Sequence, residues 1–301
     1  MTDLEPSPLY AYAACTLQCE ASAEGYFPCY AGCLSILYAL CSTLGSMRGA
    51  DAAEHALSSN PFSGQLFDGE ILHATGLGTN VPLSKLNGGR PFVLLDACEE
   101  TPTVDAVNFP NEEAERAAMQ HLIDRGCRNI AIVGHRFAPR ADLAHAQNAF
   151  ALRLRGACGA LSDAGLPYDE SMVFEAGDVA NGIIAGHAIA ERILAARSGH
   201  GGTEFDGACC ANDFAAFGVI RGLADRGLRV PQDVKVIGFD GVTSGSYTTP
   251  ALSTIQVDFT QLAKFSVDML SERIDHGTDE ALPPRRAIIG YQLVDRESTA
   301  V

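Results

Sequence analysis

The chain has 301 residues, 37 of them acidic and 21 lysine or arginine, for a formal net charge of −16. At 47% hydrophobic and 19% charged residues it has the composition of a globular protein of one large or two modest domains, not that of a disordered, collagen-like or disulfide-rich chain. The acidic balance, with no run of Lys or Arg, argues against a surface that binds nucleic acid by neutralising phosphates.

Residues 1–46 stand apart. They hold no Lys or Arg, five of the ten cysteines and five of the eight tyrosines. The stretch from Gly25 to Met47 is uncharged and long enough to cross a bilayer. Pro28, its many small polar residues and the acidic start before it fit neither a membrane span nor a secretory leader. Cys15/Cys19 and Cys29/Cys33 have spacings that zinc sites use. With the remaining cysteines scattered among apolar residues, the reading preferred is reduced, buried thiols in a cytoplasmic protein, with no metal and no cofactor. Residues 1–46 are expected to be foreign to the fold.

From residue 47 helix-like and strand-like stretches alternate. Met47–Ser59 is helical in composition. Gly69–His73 and Pro91–Leu95 are short apolar runs of strand length. Asn111–Arg125 is an amphipathic helix, with Asn111 as its cap, Ala114, Ala118 and Leu122 on its buried stripe and Gly126 after its last turn. Strand Asn129–Val133, helix Ala144–Asp163, strand Met172–Glu175, helix Gly182–Ala196 and strand Phe205–Ala211 follow. Then come helix Phe214–Arg226, strand Val234–Phe239, helix Thr260–Ile274 and strand Ala287–Leu293. Strands separated by helices predict an α/β fold of parallel sheets flanked by helices, in two lobes.

Two segments end strands where α/β folds place ligand groups. In Ala211–Asn212–Asp213, Asp213 suits the cap of the next helix and Asn212 a polar contact. In Gly238–Phe239–Asp240 the carboxylate can accept two hydrogen bonds from vicinal hydroxyls or serve only its own turn. Arg153, read alone, is a solvated helix charge. No glycine-rich nucleotide loop, nucleophile elbow or metal-spaced histidine set is present, so no enzyme is read.

Ordered motifs then carry a resemblance. FDGEIL (67–72), RPFVLLD (90–96), HLIDRGCRNIAIVG (121–134), RLRGACGALSDAG (153–165), the long stretch from Ala211 to Gly241, YTTPALSTIQVDFTQLAKFSVDMLSERI (247–274) and DREST (295–299) resemble the effector domain of LacI/GalR transcription regulators. That resemblance implies the two-lobed type I periplasmic-binding-protein-like fold. It assigns 47–127 and 253–281 to an N-terminal lobe that is incomplete, and 128–252 and 282–301 to a C-terminal lobe. It implies a sugar or related metabolite bound between the lobes by Arg153, Asn212, Asp240 and Phe259, and a homodimer. A family position that often carries a stacking aromatic is Val179 here. Nothing matches the family's helix-turn-helix, so DNA binding by this chain alone is not expected. A solute-binding module for sugar uptake is the alternative. Arg153 can reach a site at the sheet end only if its helix begins later than Ala144, so Arg136–Asn148 is expected to be partly irregular. Arg153→Ala is then expected to abolish effector binding with little loss of folding.

Overall fold

The computed structural model describes residues 17–18, 69–73, 91–98, 101–175, 182–198, 205–276 and 282–300. The strands are β1 (Leu17–Gln18), β2 (Glu70–His73), β3 (Phe92–Leu95), β4 (Asp105–Asn108), β5 (Ile130–Val133), β6 (Val173–Phe174), β7 (Gly207–Cys210), β8 (Lys235–Asp240), β9 (Ser253–Val257), β10 (Arg286–Ile288) and β11 (Tyr291–Val294). The α-helices are α1 (Asn111–Asp124), α2 (Arg140–Leu143), α3 (Ala149–Asp163), α4 (Gly182–Ser198), α5 (Asp213–Asp225) and α6 (Phe259–Asp275). The helix expected over Met47–Ser59 and the position of Val179 lie outside the described residues.

The chain forms two compact units. In the first, whose described residues run up to Phe109 and from Asp258 to Ile289, five strands are all parallel in the order β1-β2-β3-β4-β10. Val93, Leu94, Leu95, Ala106 and Val107 are buried without alternation, as in a parallel strand covered on both faces. Helix α6 lies against β2, β3 and β4, burying Leu262, Ala263, Ser266, Val267 and Leu270. Asp105 opens β4 fully buried. It accepts hydrogen bonds from Arg273 Nε and Nη2 at 3.0 and 2.9 Å and from Arg285 Nη2 at 3.0 Å. Burial alone would raise the Asp105 carboxyl, but the two arginines outweigh it and hold it below its ordinary value.

The second unit, Pro110–Val257 with Gly290 onward, has a six-stranded sheet in the order β11-β9-β8-β7-β5-β6, parallel except for β11 on β9. Successive residues of β8 face opposite sides of this sheet. Phe239 lies under Arg153 of α3, while Gly238 faces Asp213 at the start of α5. The pair α1/α3 therefore covers one face and α4/α5 the other. Each pair is close. A Cβ on Gly156 of α3 would strike the Glu112 carbonyl of α1, and one on Gly218 of α5 would strike the Ile183 carbonyl and His187 amide of α4.

Several sequence expectations change. The cap of α1 is Pro110, with no side-chain bond, and Asn111 is buried inside the first turn. Helix α3 begins at Ala149, five residues after Ala144. Asn148 Oδ1 caps it by accepting from the Ala151 amide at 2.9 Å. Residues 135–148 are irregular apart from the single turn α2, as a later helix start requires. Strands β4 and β9 were not foreseen. The single strand expected over Ala287–Leu293 is two. Ile289, whose amide bonds the Asn108 carbonyl, and Gly290 separate β10 in one sheet from β11 in the other. Cys98, Cys127, Cys158, Cys209 and Cys210 are free and buried.

Candidate functional site

Strands β5, β7 and β8 are parallel neighbours, so their carboxyl ends line one edge of the second unit's sheet. His135 and Asn212 follow β5 and β7, and Asp240 is the last residue of β8. Helix α3 adds Arg153 about one turn from its start.

Arg153 is 7% exposed, not the solvated charge its helix position suggests. Its Nε donates to Asn111 Oδ1 at 2.8 Å and its Nη1 to the Ala211 carbonyl at 2.6 Å. Its guanidinium carbon lies 3.6 Å from the centroid of the Phe239 ring and 5.8 Å from that of Phe150. A planar cation stacked in this way is pre-organised. Among the described residues its Nη2 makes no hydrogen bond, and it is not fully enclosed. Arg153 thus binds the carbonyl immediately before Asn212 and stacks on the ring immediately before Asp240. The structure brings these three residues together.

Asn212 caps α5: its Oδ1 accepts from the Ala215 amide at 2.8 Å. The capping expected of Asp213 is therefore done by Asn212. A cap uses only the amide oxygen, and Asn212 Nδ2 has no hydrogen-bond partner among the described residues. One residue thus serves the helix and still offers a donor.

Asp213 is wholly buried. Its Oδ2 accepts from the Val242 amide at 2.7 Å and its Oδ1 lies 2.6 Å from Thr254 Oγ1. Gly238 leaves the space this carboxyl fills, since a Cβ there would collide with Asp213 Oδ1. Burial, and then the neighbouring negative charge of Asp240, push Asp213 up to about 8 against the pull of its hydrogen bonds. Asp240 ends β8 with a φ of 111°, followed by Gly241 at 79°. Two consecutive left-handed residues turn the chain sharply, and Asp240 is nine-tenths buried.

Phe259 belongs to the other unit. It opens α6 behind Asp258, whose Oδ1 accepts from the Gln261 amide at 2.9 Å, and its ring meets Phe109 edge to face at 6.0 Å.

Sequence reading missed a second polar group on the α1/α3 face. Glu115 and His135 are 0% and 1% exposed, with His135 Nε2 3.8 Å from Glu115 Oε1. Cys209 Sγ donates to Glu115 Oε1 at 3.3 Å, and burial raises that thiol well above its ordinary value. Among the described residues Glu115 Oε2 and both His135 nitrogens have no hydrogen-bond partner. The His135 ring meets Phe150 edge to face at 5.8 Å. The available signal was Glu115 standing four residues after Asn111, on the buried stripe of α1.

Residues 119–299 match the family of periplasmic binding protein-like domains. The transcriptional repressor PurR of Aliivibrio fischeri (strain ATCC 700601 / ES114) is 30% identical over 208 residues, covering 69% of this chain and 58% of that protein. The chain thus spans somewhat over half the length of such curated relatives. A putative LacI-family regulator from Sanguibacter keddieii has a similar structure, with TM-score 0.73, 29% identity and coverage of 90% of this chain and 95% of that one. The regulator CelR in complex with cellobiose is similar at TM-score 0.66 and 25% identity, with 90% and 79% covered. The α/β architecture and these likenesses agree, and the chain belongs to the periplasmic binding protein-like domain family, in the form of a LacI/GalR-type effector domain.

Proposed function

We propose that this chain is the effector-sensing part of a transcriptional regulator and that it binds a small sugar or related metabolite through Arg153, Asn212, Asp240 and Phe259. One observation carries the reading. At the carboxyl edge of the sheet, Arg153 and Asn212 are each fixed by part of their hydrogen-bonding capacity and keep one donor nitrogen unused. Two fixed donors beside a carboxylate suit a ligand of paired hydroxyls, whose oxygens accept from Arg153 and Asn212 and whose hydrogens go to Asp240. The cellobiose complex of CelR supports a sugar as the ligand class. We assign no enzyme activity to these residues.

We further propose that the domain acts in the cytoplasm as a homodimer and does not bind operator DNA by itself, in keeping with the net charge of −16. No helix among the described residues is long and apolar enough to cross a membrane.

A thermal-shift screen of the full chain with sugars, polyols and nucleobases tests the reading. A true effector at 100 times its dissociation constant stabilises by about 2.7 kcal/mol. The effect should be absent in Asn212→Ala and in Arg153→Lys. A chain stabilised by no compound of these classes, or one whose stabilisation survives both substitutions, refutes the assignment.

A further inference from the structure

We propose that Asp213 is a positioning residue for Asp240: by tying the turn after β8 to the start of α5 and to β9, it holds the Asp240 carboxylate in place. This rests on the effector-site reading only for its consequence, not for its geometry.

Three strands of observation meet here. Asp240 and Gly241 sit at φ 111° and 79°, a turn that a non-glycine residue keeps only where its surroundings enforce it. The Val242 amide that follows is bound at 2.7 Å by Asp213 Oδ2. The other oxygen, Oδ1, is 2.6 Å from Thr254 Oγ1 in β9, the strand beside β8. One side chain from α5 thereby binds both sides of the crevice edge on which Asp240 stands. Gly238 confirms the fit, because any side chain there would displace Oδ1.

The charge follows from the packing. Burial and the neighbouring Asp240 on β8 raise Asp213, and the Cys210 thiol on β7 is raised in turn by its own burial and by Asp213 among its neighbours. Two adjacent buried carboxylates do not both ionise readily. Asp213 has the deeper burial and keeps its proton to about 8. Thr254 Oγ1 donates to Oδ1 at 2.6 Å and lies 3.3 Å from the Ile255 carbonyl. Oδ2 remains an acceptor for the turn. Ionisation of Asp213 is thus opposed by its burial and by the neighbouring Asp240.

Carboxyl-carbon NMR of the full chain labelled at aspartate tests this without any effector. Asp213 and Asp240 are assigned from their Asn variants. In the wild type the Asp213 carbon should titrate with a midpoint near 8, and the Asp240 carbon should show an inflection at the same pH. In Asp213→Asn that inflection should vanish. Thr254→Val should move the Asp213 midpoint upward, because the Thr254 hydrogen bond holds it down. In Asp213→Ala the amide–Hα coupling of Asp240 should change as its backbone leaves the left-handed region; where this variant does not fold, the titrations decide alone. An Asp240 carbon blind to Asp213, or a midpoint indifferent to Thr254, overturns the proposal. Failure of the sugar screen leaves these readings untouched, so the two ideas fail separately.

Discussion

At the scale of the residue, Arg153 shows how a side chain's weight can differ from its sequence appearance. Truncation was expected to spare the fold. The structure corrects this, because Arg153→Ala leaves Asn111 Oδ1 and the Ala211 carbonyl without their donor. Each buried acceptor so orphaned costs about 1–3 kcal/mol. Urea unfolding of Arg153→Ala should therefore show a stability loss of a few kcal/mol alongside lost binding, and an unchanged midpoint would contradict the packing described. Asp213 gives a second prediction. Its folded value of about 8 lies above the ordinary 3.8, so the native state binds a proton that the unfolded chain releases. The stability it contributes is complete below about pH 4 and is lost as the pH rises toward 8, at no more than about 1.4 kcal/mol per pH unit. Asp213→Asn should flatten that slope in urea midpoints measured from pH 5 to 8. An equally steep slope in the variant would show that other groups produce it. These two residues also mark what the sequence concealed. Their motifs placed both at the sheet edge. Which of Asn212 and Asp213 makes the cap depends on Thr254 and Val242, which bind the Asp213 carboxyl from some thirty to forty residues away.

At the scale of the element, strands that are continuous apolar runs were legible. PFVLL and NIAIV could be read because burial on both faces leaves no alternation to interpret. Strand β4, DAVN, was not, since its first residue is a carboxylate whose burial is made possible by Arg273 and Arg285, far along the chain. Strand β9, STIQV, was hidden by Ser253 and Thr254, whose hydroxyls bond Arg296, Thr299 and Asp213 rather than water. The start of α3 was recovered only by asking what Arg153 must reach. Helix pairs yield a prediction of their own. Gly218→Ala must push α5 from the backbone of α4, where no flexible side chain can give way. A loss of about 1–3 kcal/mol is expected in thermal or urea unfolding, and a neutral result would mean the helices are not in close contact. The Glu115/His135 group predicts the opposite sign. Replacing both at once, Glu115→Met with His135→Phe, removes three buried polar atoms without partners. The double variant should be as stable as the parent or more so, by up to about 4 kcal/mol. Marked destabilisation would show that these atoms have partners in solution.

At the scale of the whole molecule, the chain passes from one unit to the other at Phe109–Pro110, returns at Val257–Asp258 and leaves again at Ile289–Gly290. Each sheet is thus assembled from pieces distant in sequence: β10 pairs with β4, and β11 with β9. In the last of these pieces Ser298 and Thr299 are fully buried. Ser298 Oγ donates to the Val236 carbonyl at 2.6 Å and accepts from the Ser253 amide at 2.8 Å, while Ser253 Oγ and Thr299 Oγ1 are 2.7 Å apart. On the ribosome, then, the larger unit waits. A nascent chain that has not yet delivered residues 291–299 presents β9 as an open edge, ready to pair with a neighbouring chain. A chain cut short before residue 291 keeps that edge open and is material for proteolysis.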